Sequence, residues 1–201
     1  FNAILPEGAL SIGGRGVFRI WAPDAEALDL IVNEGNSSHS RPLRRDALGN
    51  YLASFMDIRP GTDYMYRVRY AGGRVENLPD PFSRYQPCKD LGINGWSRLT
   101  DLGRFEWGNA KHLYRSLEEM RIYEMHVGLW TKEGTFNAIQ NPSDWDYLIA
   151  RLRDELKINT IEIMPVHESP GEFNWGYDVV LPFGVYRSYG TPEELQRLVK
   201  K

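Results

Sequence analysis

The residue types best suited to chemistry in this 201-residue chain gather in one segment, 165–178. It reads Pro165-Val166-His167-Glu168-Ser169-Pro170-Gly171-Glu172-Phe173-Asn174-Trp175-Gly176-Tyr177-Asp178 and mixes aromatic rings with carboxylates. Aromatic faces stack on the apolar faces of sugar rings, and carboxylates accept hydrogen bonds from hydroxyls. The mixture therefore suits carbohydrate binding. A rim loop whose Trp175 and Tyr177 cover core would have the same composition, and spacing alone does not separate the two readings.

Other candidates are weaker. Glu124, His126, Glu162 and His167 are metal-ligand types, but the spacing of His126 and His167 fits no zinc signature. They read better as hydrogen-bonded residues inside a barrel or at strand ends, and neither a metal nor a cofactor is expected. The chain has no Gly-x-Ser-x-Gly elbow, Walker loop or Gly-x-Gly-x-x-Gly. Gly13-Gly14-Arg15-Gly16 precedes a strand and reads as a turn. The single cysteine, Cys88, lies beside Lys89 with no histidine near it in sequence, so an inert thiol is expected and an internal disulfide framework is excluded. Asn36-Ser37-Ser38 is a formal glycosylation sequon, of little weight without a signal peptide.

Composition bounds the partners. The net charge of −3, with 24 basic and 27 acidic residues, gives no basic excess for nucleic acid or anionic lipid. Apolar runs such as 158–166 are interrupted by Asn, Thr and Glu, and no stretch approaches the roughly 20 apolar residues of a membrane span. No signal peptide is visible, so a cytoplasmic protein is the expectation, although the chain opens on Phe1 rather than methionine.

The elements that must position the segment fall into two halves. Residues 16–22, 27–32, 51–56 and 64–70 alternate with period two and are separated by Pro-Asp, Leu-Gly-Asn, Pro-Gly and Ala-Gly-Gly, which predicts antiparallel strands of a β-sandwich. Leu28, Leu30 and Val32 share one face, as do Tyr64, Tyr66, Val68 and Tyr70. From about residue 120 the period changes. Residues 121–127 and 159–166 read as strands. Residues 143–156 read as a helix capped by Ser143, with Trp145, Leu148, Ile149, Leu152 and Leu156 on its apolar stripe. Thr191, Pro192 and Glu194 open a second helix with a capping box. Strand–helix–strand–helix is the unit of a parallel α/β fold. The division expected is sandwich 1–75, a linker 76–119 that is irregular but ordered, since it carries Tyr85, Trp96, Phe105, Trp107 and Tyr114, and an α/β part 120–201.

These segments resemble a known family. Trp21-Ala22-Pro23 is similar to the N-terminal sandwich of glycogen-branching and related enzymes. Ile122-Tyr123-Glu124-Met125-His126-Val127-Gly128 and Ile161-Glu162-Ile163-Met164-Pro165-Val166 resemble the first two barrel strands of the α-amylase superfamily, and Trp175-Gly176-Tyr177-Asp178 and Ser188-Tyr189-Gly190-Thr191-Pro192-Glu193-Glu194 continue the match. Within the superfamily the trehalohydrolases acting on malto-oligosyltrehalose are most similar. That preference rests on Pro79-Asp80-Pro81-Phe82-Ser83-Arg84-Tyr85-Gln86-Pro87, on Glu133-Gly134-Thr135-Phe136, and on Asp178 where branching enzymes usually carry Gln. Departures occur at 88–95, at Val179 and at Leu129-Trp130.

The resemblance implies an N-terminal immunoglobulin-like sandwich of the early set type, like a starch-binding module, followed by the first two β/α units of a truncated (β/α)8 TIM barrel. A whole barrel takes about 250 residues. The implied reaction is retaining hydrolysis of the α-1,4 bond next to the terminal trehalose of malto-oligosyltrehalose, with a trehalose-forming synthase as functional partner. Tyr177 would stack on the sugar, and Trp175 and Asp178 would support that loop or contact hydroxyls. The family's catalytic Asp nucleophile and Glu acid/base fall beyond residue 201, so no residue here is assigned a catalytic role and the chain alone is expected to be inactive. The alternatives are the same portion of a branching or debranching enzyme, or a short non-catalytic glucan-binding protein.

Overall fold

The computed structural model describes residues 7–35, 37–87, 95–111, 113–171 and 175–201. The expectations for Cys88, for the sequon at Asn36 and for Glu172, Phe173 and Asn174 lie outside the described residues. Period-two patterning in the first half produces two antiparallel sheets. One has the order β1 (Gly8–Ile12), β2 (Arg15–Trp21), β6 (Asn50–Phe55) and β5 (Arg44–Arg45). The other has the order β4 (Ser38–Pro42), β3 (Ala25–Asn33), β7 (Asp63–Tyr70) and β8 (Val75–Leu78), with β9 (Ser97–Arg98) also paired to β7. Phe18 and Ile20 from the first sheet meet Leu28, Leu30, Val32, Tyr64, Tyr66 and Val68 from the second in one buried cluster. The faces expected from alternation on β3 and β7 form this cluster, with Tyr70 packed half-buried against it, and Asp29, Ile31 and Met65 on the opposite face are buried as well. Phe18 and Tyr64 meet edge-on with centroids 5.1 Å apart. Burying each such side chain stabilises the fold by roughly 1.5–3 kcal/mol.

The segment expected to be ordered but irregular also contributes strands. β8 and β9 extend the second sheet, and between them Asp80 is fully buried. Its carboxylate accepts hydrogen bonds from the Tyr64 hydroxyl (2.7 Å), the Phe82 N–H (2.8 Å) and, at 3.4 Å, the Tyr66 hydroxyl. The Asp80 N–H donates to Ser97 Oγ at 3.0 Å. One residue thus ties β7 and residues 80–82 together through its carboxylate and β9 through its N–H. Residues 82–85 run on to the second half: Phe82 stacks on Phe183 (5.4 Å), and the Val185 N–H donates to the Arg84 carbonyl (3.0 Å).

In the second half β10 (Ile122–Met125) and β11 (Thr160–Ile163) pair in parallel. Asn159 sets their register, accepting from the Arg121 N–H (2.9 Å) and donating to the Glu119 carbonyl (2.9 Å). The crossover between them carries short helices α1 (Val127–Trp130) and α2 (Phe136–Ile139) and the longer α3 (Pro142–Ile149). Met125, Tyr123 and Ile163 face Leu148, Leu152 and the crossover, while Glu124 and Glu162, adjacent in register, are exposed on the opposite face.

The helix expected over 143–156 differs at both ends. It starts at Pro142, after Asn141 rather than at a Ser143 cap, because proline suits the first helical position. Past Ile149 the chain widens into a π-type turn, in which the Leu156 N–H bonds to the Arg151 carbonyl five residues back at 3.1 Å. That widening breaks the 3.6-residue period, so Leu148 and Leu152 are buried but Leu156 is 51% exposed. The final helix, α4 (Pro192–Lys200), has the expected capping box: Thr191 Oγ1 accepts from the Glu194 N–H (3.3 Å), and the Glu194 carboxylate accepts from the Thr191 N–H (2.8 Å). No helix among the described residues is long and apolar enough to cross a membrane.

Burial raises the Asp80 pKa above its ordinary 3.8, outweighing the hydrogen bonds from Tyr64, Phe82 and Tyr66 that favour the charged form. The folded state therefore holds this proton more tightly than the unfolded chain. Asp80's titration contributes fully to stability below about pH 3.9, and that contribution is lost as pH rises through the raised folded value. In urea melts, the stability of the wild type minus that of Asp80→Asn should fall as pH rises above about 4. A difference that stays flat or rises contradicts this placement. Asp80→Ala, which strands the tyrosine hydroxyls and the Phe82 N–H, should cost about 3 kcal/mol in the same assay.

Candidate functional site

Segment 165–178 follows β11, so it lies at the C-terminal end of a parallel strand, where loops of α/β folds carry function. It is framed by a small antiparallel hairpin, β12 (His167–Glu168) with β13 (Leu181–Val185). The base of the hairpin is closed by backbone bonds from Val180 N–H to the Glu168 carbonyl (2.9 Å) and from Tyr186 N–H to the Val166 carbonyl (2.7 Å).

A buried ion pair locks this frame. Glu168 is fully buried and pairs with the Arg187 guanidinium, whose side chain is 7% exposed. The second carboxylate oxygen of Glu168 accepts from the Arg187 N–H at 3.1 Å. Two charges taken out of water are tolerated because each meets the other at close range. Sequence reading left Glu168 in the carbohydrate-facing segment without a role. Its role is to hold the hairpin, and Arg187, 19 residues away, carries no periodic signal that would have revealed it.

Between the strands the loop carries Trp175 and Tyr177 outward, each 65% exposed, and Asp178 is also exposed. Gly176 separates the two aromatics at φ +85°, and a Cβ there would stand 2.5 Å from the Pro165 carbonyl oxygen. Only glycine permits that approach, which presses the loop onto the end of β11. The Trp175 ring lies edge-on to His126, with centroids 6.5 Å apart. His126 in turn meets Tyr189, whose hydroxyl lies 3.3 Å from Nε2. Tyr189 is 6% exposed and packs edge-on against Phe136 and Tyr186. An aromatic path therefore runs from the buried core of the second half to Trp175. His126 Nδ1 is buried without a hydrogen-bond partner among the described residues, so this imidazole contributes more to packing than to a polar network.

The four metal-ligand types are not brought together. Glu124 and Glu162 stand exposed on the sheet face, His126 faces Tyr189 and Trp175, and His167 lies on β12. Among the described residues no three His, Cys, Asp or Glu side chains are grouped to hold a metal ion. What the site offers is two exposed aromatic faces and a carboxylate on a rigidly framed loop. That arrangement can hold a polyhydroxylated ring by stacking and hydrogen bonding.

Comparison with known proteins follows the same lines. Residues 7–83 match the family model of carbohydrate-binding module 48, the isoamylase N-terminal domain. Over 185 residues the chain is 34% identical to the malto-oligosyltrehalose trehalohydrolase of Saccharolobus solfataricus, covering 92% of this chain and 30% of that protein. Over 194 residues it is 36% identical to the malto-oligosyltrehalose trehalohydrolase of Rhizobium sp. strain M-11, covering 96% and 30%. The chain thus spans about 30% of the length of these curated relatives and fits their N-terminal portion. Among solved structures, the GBS pullulanase SAP in complex with maltotetraose shares the fold with a TM-score of 0.79 at 18% identity, over 100% of this chain and 32% of that one.

Two variants test the frame. Arg187→Met leaves Glu168 buried and unpaired and should cost about 3–5 kcal/mol in urea melts, with much of the loss recovered by adding Glu168→Leu. A cost below about 1 kcal/mol would show that the pair does not hold the hairpin. Gly176→Ala should lower protection of the 175–180 amides in hydrogen exchange while leaving the sandwich amides unchanged.

Proposed function

We propose that this chain is the N-terminal portion of a glycoside hydrolase of the α-amylase superfamily that releases trehalose from malto-oligosyltrehalose. The similarity to trehalohydrolases along more than nine-tenths of the chain carries the reading. On this reading residues 120–201 supply the first two β/α units of a (β/α)8 barrel, with β10 and β11 as neighbouring barrel strands. The exposed sheet face bearing Glu124 and Glu162 then looks into the barrel.

The reaction class is retaining hydrolysis, in which two carboxyl groups about 5–5.5 Å apart act as nucleophile and acid/base. No residue of this chain is assigned to that pair. Its share is binding and positioning. Tyr177 and Trp175 present faces to a sugar ring, and Asp178 accepts from its hydroxyls. Holding the ring matters because the transition state is oxocarbenium-like and is reached from a distorted sugar. The substrate then comes from an enzyme class that converts the reducing end of a maltooligosaccharide into a trehalose unit, which makes a trehalose-forming synthase the functional partner. The sandwich is read chiefly as a packing partner of the barrel, joined to it through Asp80 and residues 82–85.

The test is product analysis with the whole protein on malto-oligosyltrehalose and on amylose. Release of free trehalose from the first, with no new branch points in the second, is the expected result. Branch formation in amylose without trehalose release would assign the protein to the branching reaction instead. Tyr177→Ala should lower kcat/KM for malto-oligosyltrehalose about tenfold or more, the loss of one buried stacking contact of about 1.5 kcal/mol. An unchanged kcat/KM would remove Tyr177 from the site.

A further inference from the structure

A concavity elsewhere in the molecule shares no residue with the Trp175–Asp178 loop. It is a cleft of about 470 Å³ between the rim of the sandwich and the start of α4. The sandwich contributes Gly61, Arg98 and Leu99, α4 contributes Glu193 and Arg197, and Tyr85 with residues 100, 101 and 104–106 forms the wall between. Its volume falls in the range of small-molecule sites, which favour junctions between packed units.

The lining has a distinctive chemistry. Tyr85 and Phe105 give the cleft aromatic surface, and neither is fully buried. Phe105 is held edge-on by Trp107 at 4.8 Å and so does not need a ligand to be ordered. Among the lining residues three arginines (98, 104 and 197) are matched in number by Asp101, Glu106 and Glu193, and the Lys200 ammonium stands beside them, 5.8 Å from the Phe105 ring centroid. Arg98 is committed to Asp63 through two hydrogen bonds of 2.6 and 3.0 Å. The exposed Arg104 side chain, by contrast, makes no hydrogen bond or ion pair among the described residues. Thr100 Oγ1, also in the wall, is buried without a hydrogen-bond partner among the described residues.

Aromatic surface beside charged groups of both signs favours neither an anion nor a cation alone. It suits a neutral polyhydroxylated ligand, whose hydroxyls both donate and accept. The floor of the cleft is also fixed. Gln196 Nε2 donates to the Leu102 carbonyl (3.1 Å) and Lys200 Nζ to the Glu106 carbonyl (2.7 Å), so residues 102–106 are tied to α4.

We infer that the cleft lined by Tyr85, Arg104, Phe105 and Glu193 is a second saccharide-binding position, taking a segment of α-glucan chain by stacking on Phe105 or Tyr85 and hydrogen bonding to Arg104 and Glu193. The choice of α-glucan as the saccharide rests on the function proposed above; the position of the site does not. A chain held at two places is held more tightly than at either one, because the second contact forms at high effective concentration.

The experiment is calorimetric titration of the whole protein with maltopentaose and maltoheptaose, comparing wild type with Trp175→Ala/Tyr177→Ala and with Arg104→Ala/Phe105→Ala. The Arg104→Ala/Phe105→Ala variant should lose one class of binding event, with a fall of at least fivefold in affinity for that class, and should keep the event removed by the Trp175 and Tyr177 changes. Arg104→Ala alone, at an exposed side chain, repeats the test without disturbing the Phe105–Trp107 packing and should weaken the same event at least twofold. Unchanged isotherms for both Arg104 variants overturn the inference while leaving the proposed function standing. Unchanged isotherms for the Trp175→Ala/Tyr177→Ala variant, with loss in the Arg104 variants, would keep the cleft and count against the loop.

Discussion

The structure turns on one buried carboxylate. Asp80 sits where the second sheet of the sandwich, the Pro-Asp-Pro turn and the path to the second half meet, and it accepts from three donors there. A carboxyl group with no access to water is costly unless its oxygens are bonded. That cost makes the geometry specific, because any displacement of β7 or residues 80–82 breaks a bond that water cannot replace. From this node the chain passes through Phe82 on Phe183 and Arg84 on Val185 to the hairpin that frames the candidate site. The position of Trp175 and Tyr177 relative to the sandwich therefore depends on Asp80.

The hairpin repeats the device with charge. Glu168 and Arg187 are buried together, and their pairing closes the frame from which the loop projects. Below the loop, Phe136, Tyr186, Tyr189 and His126 build an aromatic support reaching Trp175. A binding surface of exposed rings needs such support, since a ring free to turn loses conformational entropy when a ligand fixes it. The rigid framing and the outward rings are two parts of one arrangement.

Much of this was legible in the sequence wherever a local rule operates. Alternation identified the buried faces of β3 and β7, and Thr191-Pro192-Glu193-Glu194 identified the start of α4 through its cap. Legibility failed where long-range contacts decide. Pro79, Pro81 and Pro87 suggested a linker, yet Val75–Leu78 and Ser97–Arg98 are strands because β7 offers them free edge bonds. Leu156 fitted a helical stripe until the π-type turn displaced it. In the candidate site the mixture of rings and carboxylates singled out the loop, and the structure carries Trp175 and Tyr177 exposed on it. Glu168's partner, by contrast, lies beyond the reach of any periodicity, and the Tyr189–His126 contact joins residues 63 apart.

The rings of Trp175 and Tyr177 are proposed to face outward to meet a sugar rather than to cover core. A crystal structure of the whole protein with a bound malto-oligosaccharide tests it most directly. The expected result is a sugar ring parallel to the face of Tyr177 or Trp175, with a hydroxyl within hydrogen-bond distance of Asp178. The contradicting result is a structure in which both rings are buried under the remainder of the protein and the sugar contacts neither.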